Sequence, residues 1–130
     1  MAEIRHIAIR THDVEKTAAF YKEAFGLEQV GVGQSGIYLT DGHLNIAILN
    51  FRPVVAGESL KLGIDHVGFH VENFDAAIAR IKSLGGKILN DENEVTPGDP
   101  AQPQSYFEVK CVGPDEQVID VSSAGWVGAR

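Results

Sequence analysis

Ile4-Arg5-His6-Ile7-Ala8-Ile9 and Ile64-Asp65-His66-Val67-Gly68-Phe69 are two versions of one segment, sixty residues apart. The register continues without a gap: Asp13-Val14 meets Asn73-Phe74, Ala19 meets Ala79, Lys22 meets Lys82 and Gly26 meets Gly86. Such agreement at a constant offset marks a duplicated supersecondary unit. Each copy opens on an alternating segment, residues 4–10 and 64–71, with Ile7, Ile9, Val67 and Phe69 on one face of a half-buried strand. Asp13 and Asn73 then stand where helix N-caps belong, since their side-chain oxygens can accept hydrogens from the first turn. Val14, Ala18, Tyr21 and Phe25 recur at helical spacing, as do Phe74, Ile78, Ile81 and Leu84. Gly26 and Gly85-Gly86 supply left-handed stops.

Three further strands are expected in each half, near 27–32, 36–40 and 43–50, then near 87–91, 105–112 and 117–122. Turns fall at Asp41-Gly42 and Gly113-Pro114-Asp115. The unit is therefore βαβββ, present twice, and the fold class is α+β. Module one covers 1–51, a linker 52–63, module two 64–122 and a tail 123–130, within one domain. One helix per module covers one face of each small sheet. The opposite face, which carries His6 and His66, must curve around something.

The bulk properties narrow the function classes. A chain of 130 residues is long enough for one real core. A net charge of −7 argues against nucleic acid or an anionic membrane as the main partner. No apolar run approaches a bilayer span and no leader pattern precedes the first strand, so a cytoplasmic location is expected. The single cysteine, Cys111, excludes an internal disulfide and a thiolate zinc cluster; its parity with Val109 makes it a buried thiol.

Strand alternation puts Ile4, His6, Ala8 and Arg10 on the face away from the helix, with Ile64, His66, Gly68 and His70 likewise. In the last strand, Val118, Asp120 and Ser122 share that face. Two imidazoles and one carboxylate then converge from three strands, a set suited to one divalent ion such as Fe, Mn, Ni, Co or Zn. Overlaying the fourth strand on the eighth brings Ala47 opposite Asp120, with Asn45 next on the same face. Ala47 cannot coordinate an ion, and Asn45 can do so only through its carbonyl oxygen. A three-ligand centre is expected, open to water and substrate.

The segments around His6 and His66, the run Asp65-His66-Val67-Gly68-Phe69-His70-Val71, and the closing Gly113-Pro114-Asp115-Glu116-Gln117-Val118-Ile119-Asp120-Val121 resemble the vicinal oxygen chelate superfamily. That group includes glyoxalases, epimerases, extradiol dioxygenases, thiol transferases and bleomycin-binding proteins. The resemblance implies paired βαβββ modules curled into a U-shaped cup around a metal, often within a homodimer. It implies His6 and His66 as ligands from the first and fifth strands, and Asp120 at a position usually held by glutamate.

Four more residues are candidates for work on a bound substrate. His70 can act as general acid or base, and Arg10 can meet a carboxylate or enolate oxygen. Tyr106 and Glu108 alternate along the seventh strand toward the cup, leaving Phe107 and Val109 for the core. His12 and His43 read as surface residues. The proline-rich stretch 93–104 can be a lid or a simple insertion, and Trp126 is expected to pack over a module or a dimer partner. The leading expectation is a metal-dependent lyase or isomerase acting on a small substrate with adjacent oxygens. An iron-dependent extradiol dioxygenase comes second, favoured by the three-ligand set. A metal-free binding protein of the bleomycin-resistance kind is the alternative from another class. A fosfomycin-type thiol transferase ranks lower, because the third quarter of the chain lacks a dense lysine and arginine loop.

Overall fold

The computed structural model describes residues 1–90 and 108–129. Module one contributes β1 (Glu3–Thr11), α1 (Val14–Phe25), β2 (Glu28–Val32), β3 (Gly36–Thr40) and β4 (Asn45–Asn50). Module two contributes β5 (Gly63–His70), α2 (Phe74–Ser83), β6 (Lys87–Ile88), β7 (Val109–Val112) and β8 (Val118–Ser122). All eight strands join one curled, open, mixed sheet in the order β2-β3-β4-β1-β5-β8-β7-β6. The order reads the same from either edge once β1 is matched with β5, β2 with β6, β3 with β7 and β4 with β8. The βαβββ repeat expected from the sequence is thus the architecture, and the modules meet where β1 pairs antiparallel with β5.

The helices form for the reasons visible in the sequence. Asp13 Oδ1 accepts from Lys16 N at 3.1 Å and Asn73 Oδ1 from Ala76 N at 3.0 Å, so each first turn is capped by a side chain. Gly26 at φ +69° and Gly85 at φ +89° take the left-handed conformation that lets the chain leave the helix. Asp13→Ala should lower stability by about 1 kcal/mol, read from urea unfolding, since Lys16 N–H then loses its partner. An unchanged midpoint would mean that water caps the turn equally well.

Each helix seals one face of its own half-sheet. Ile9, Ala18, Leu39 and Ile48 form the core under α1, flanked by Ile7, Val14 and Tyr21. Val71, Ile78, Val109, Cys111 and Val121 form the core under α2. A buried side chain such as Ile48 or Leu39, both with no exposed surface, stabilises by about 1.5–3 kcal/mol. Cys111 is buried within this layer, as its parity indicated.

Strict alternation fails at two places, and both matter. The β1–β5 register shifts between Ile4 and His6, and again between Ala8 and Ile9. Ala8 pairs with His66 while Ile9 pairs with Ile64, so Asp65 is the extra residue of a bulge. Bulges re-aim side chains: Asp65 is buried beside His66 whereas Ile64 is exposed. Strands β6 and β7 are also shorter than expected. Pairing beyond Ile88 is continued by one backbone bond, Leu89 N to Lys110 O at 2.9 Å, and by Lys110 N donating to Asn90 Oδ1 at 2.7 Å. The positions expected to continue β7 toward 105, and the stretch 93–104, lie outside the described residues.

Candidate metal centre

The face opposite the helices carries a compact polar cluster. His6 comes from β1, His66 from β5 and Asp120 from β8, and all three are buried. Asp120 Oδ2 lies 3.4 Å from His6 Nε2 and 3.1 Å from His66 Nε2. The three possible ligand atoms fall within 4.8 Å of one another.

The far side of each imidazole is occupied by an acceptor. Asn45 Nδ2 donates to Val127 O at 2.9 Å, which turns Asn45 Oδ1 toward His6 Nδ1 at 2.7 Å. His6 Nδ1 therefore carries the hydrogen and Nε2 keeps its lone pair. Asp65 Oδ1, aimed by the bulge, sits 2.5 Å from His66 Nδ1 and fixes the same tautomer there. Asp65 Oδ2 is itself held by Lys61 N at 2.6 Å. Both imidazole Nε2 atoms thus face one carboxylate oxygen, Asp120 Oδ2, which has no well-aligned hydrogen bond. Such a convergence on an anionic oxygen calls for positive charge at its centre, supplied by a proton on an imidazole or by a coordinated cation in its place. Orientation of both rings by outer acceptors is what metal-ligating histidines require, so the residues fit a divalent ion.

The charge balance agrees. Among the described residues, Arg10 and Lys110 face Glu58, Asp65, Glu108 and Asp120. With both histidines neutral and all four carboxyls ionised the cluster would carry two excess negative charges, which protons on His66 and Glu108 take up unless a metal ion does. Burial opposes charge on His66, but the carboxylates of Asp120 and Asp65 at its two ring nitrogens outweigh it and raise the imidazole pKa to about 9. Burial also opposes ionisation of Asp120, and the Lys110 ammonium with the two imidazoles overcomes this and holds its pKa well below the carboxylate range. Glu108 is pushed the other way, up to about 7, by burial and by the charge of Asp120.

The four expected substrate-side residues fall in different places. Arg10 is fully buried and turned toward the linker. Nη1 donates to Asn50 O and Arg52 O, both at 2.8 Å, Nη2 donates to Glu58 Oε1 at 2.8 Å, and Nε lies 3.5 Å from Asp65 Oδ2. Glu58, Asp65 and His66 also make a possible ligand group, but the guanidinium already supplies its positive charge. His70 stands two pleats beyond His66, its Nε2 bonded to Ser123 O at 3.1 Å. It lines an open cavity of about 370 Å³ with Glu3, Arg5 and Trp126. Glu108 keeps a fifth of its side chain exposed and accepts from Trp126 Nε1 at 3.0 Å. Tyr106 lies outside the described residues. His12 and His43 are exposed.

Ala47 and Asp120 occupy matching places, because Ala47 pairs with Ala8 in β1 and Asp120 with Gly68 in β5. Gly68 is needed there: a β-carbon would come within 2.8 Å of His6 Cβ and of the Trp126 ring. That ring stacks on His6 at 5.0 Å between centroids and 8° between planes. The tail then crosses to module one, where Thr40 Oγ1 holds Gly128 O at 2.8 Å. Trp126 therefore packs on its own chain.

Sequence reasoning did not single out Lys110, Asp65 or Glu58. Lys110 is 3% exposed and donates from Nζ to Asp120 Oδ1 at 2.7 Å, with His66 Nε2 at 3.4 Å. The parity that placed Tyr106 and Glu108 on this face extends to Lys110, so alternation alone could have found it. Asp65 needed the bulge, and Glu58 the path of the linker.

Comparison with known proteins gives these features a family. Residues 3–101 match the Glyoxalase/Bleomycin resistance protein/Dioxygenase superfamily. Metallothiol transferase FosB of Shouchella clausii is 27% identical over 88 residues, which are 66% of this chain and 60% of that protein. Mitochondrial methylmalonyl-CoA epimerase of Homo sapiens is 28% identical over 127 residues, 87% of this chain and 70% of that one. The first of these relatives is thus matched over about three fifths of its length. The Mn(II)-bound glyoxalase from Novosphingobium aromaticivorans superposes with a TM-score of 0.66 at 22% identity, covering 98% of this chain and 41% of that one. At that identity the likeness is one of fold.

Proposed function

Because the chain belongs to the Glyoxalase/Bleomycin resistance protein/Dioxygenase superfamily, we propose that it is a metal-dependent enzyme for a small substrate with two adjacent oxygens, working by lyase or isomerase chemistry. One observation carries the metal part: His6 Nε2, His66 Nε2 and the unpartnered Asp120 Oδ2 converge, with both Nδ1 atoms held from behind. A divalent ion held by these three groups would supply Lewis-acid polarisation of the substrate oxygens. The chain's own residues do the rest. Asn45 and Asp65 fix the rings, so that little reorganisation is required on binding. Glu108, partly exposed and 3.8 Å from Lys110 Nζ, is the carboxylate this reading assigns to proton transfer. His70 and Tyr106 are kept as substrate-side groups, whereas Arg10 is committed to Asn50, Arg52 and Glu58. A homodimer in the cytoplasm belongs to the same reading; among the described residues no helix is long and apolar enough to cross a membrane.

Elemental analysis tests the proposal. Protein reconstituted in turn with iron, manganese, nickel, cobalt and zinc, then desalted, should retain about one ion per chain. Retention below about a tenth of an ion for every metal would leave the metal-free binding protein as the better reading. A second reaction has a specific observation behind it. Ala47, in the place that matches Asp120, offers no fourth ligand, so among the described residues the proposed set is three, the number associated with iron-dependent oxygenation. Oxygen uptake with a panel of catechols should be absent under lyase or isomerase chemistry, and uptake at catalytic rates would transfer the assignment to an extradiol dioxygenase.

A further inference from the structure

Lys110 is the lysine or arginine that reaches the triad among the described residues, and its contacts are uneven. Its Nζ lies 2.7 Å from Asp120 Oδ1, 3.4 Å from His66 Nε2, 3.8 Å from Glu108 Oε1 and 3.9 Å from Glu58 Oε1. The ammonium thus grips one oxygen of Asp120 and leaves the other, Oδ2, turned between the two imidazoles. We infer that Lys110 is a positioning residue that sets the affinity of the centre for its ion. It confines Asp120 to ligation through Oδ2, and it places a fixed positive charge directly beside the cation site. This inference rests on the metal-dependent reading of the centre.

Two physical effects act in the same direction. An ammonium 2.7 Å from Asp120 Oδ1, in a site shielded from water, would repel a cation held by that carboxylate with an energy large compared with RT. The hydrogen bond to Oδ1 also withdraws a donor atom that an aspartate could otherwise offer. In compensation, Lys110 balances Asp120, Glu108 and Glu58, so the cluster holds together without depending wholly on a bound ion. The centre is consequently tuned for an exchangeable ion rather than a permanently trapped one. His66 Nε2 also faces Nζ, so the ammonium and the ion share two neighbours, Asp120 and His66.

Titration calorimetry and cobalt spectroscopy on the full chain test this. Lys110→Met keeps the length and removes the charge, and Lys110→Arg keeps the charge. Lys110→Met should bind Mn2+ and Co2+ at least about tenfold more tightly than the unaltered protein. Its cobalt spectrum should shift as Oδ1 becomes available, while Lys110→Arg should stay within a few-fold of the starting affinity. Circular dichroism checks that each variant is folded, and Lys110→Gln replaces the methionine variant if that one is not. Equal or weaker binding by a folded neutral variant would overturn the inference and leave the metal centre standing. Binding by the neutral variant alone would support the inference and overturn the metal-dependent reading of the natural chain. Failure of every folded protein to bind would overturn both.

Discussion

Replacing His66 by alanine is expected to lower affinity for a divalent ion by more than about a hundredfold, with the fold retained. Loss of a group that merely orients a ligand already costs about 10–100-fold, and His66 is proposed as a ligand itself. The fold should survive because its neighbours keep other partners. Asp65 retains Lys61 N and Arg10, and Asp120 retains Lys110. A stability loss of about 1–3 kcal/mol is expected for the vacated space and the weakened network. Calorimetry with Mn2+, paired with circular dichroism, reads both quantities. Affinity within a few-fold of the unaltered protein would remove His66 from the ligand set, and an unfolded variant would make it a structural residue.

Arg10→Met should act in the opposite way, costing about 3–5 kcal/mol of stability, the usual penalty for stripping one partner from a buried ion pair. The carbonyls of Asn50 at the end of β4 and of Arg52 in the linker lose their donor, while Glu58 and Asp65 lose the guanidinium. Glu58 also accepts from Val54 N at 2.7 Å, so the linker loosens with it. Urea unfolding followed by circular dichroism measures the loss. Unchanged stability together with lost turnover would return Arg10 to the substrate-binding role that strand parity suggested.

The difference between those two residues shows what can be read from a sequence of this kind. The sixty-residue repeat revealed both helices, the order of elements and the convergence of β1 and β5, because caps, glycine stops and period-two alternation are local signals. It also matched Ala47 with Asp120, a relation that strand pairing reproduces. Partners were harder. Arg10 shares the face of His6, yet its guanidinium is taken up by a linker whose path no periodicity encodes. Asp65 belongs, by alternation, on the helix side, and only a bulge returns it to His66. Lys110 was legible but passed over, because a lysine in a strand is ordinarily solvated and nothing local shows that four acidic and imidazole groups surround it. The repeat also loses register between the modules: Asp120 stands 73 residues after Ala47, not sixty, and nearly all of the excess falls before β7.

The packing of Trp126 on His6 has an optical consequence. Trp126 is the chain's single tryptophan, so the entire indole emission of the protein originates against one proposed ligand, 5.0 Å from its ring. Emission is therefore a local probe of this corner of the cup, where binding of a paramagnetic ion would quench it. For the same reason an emission-monitored melt follows release of the tail, and need not coincide with loss of the sheet.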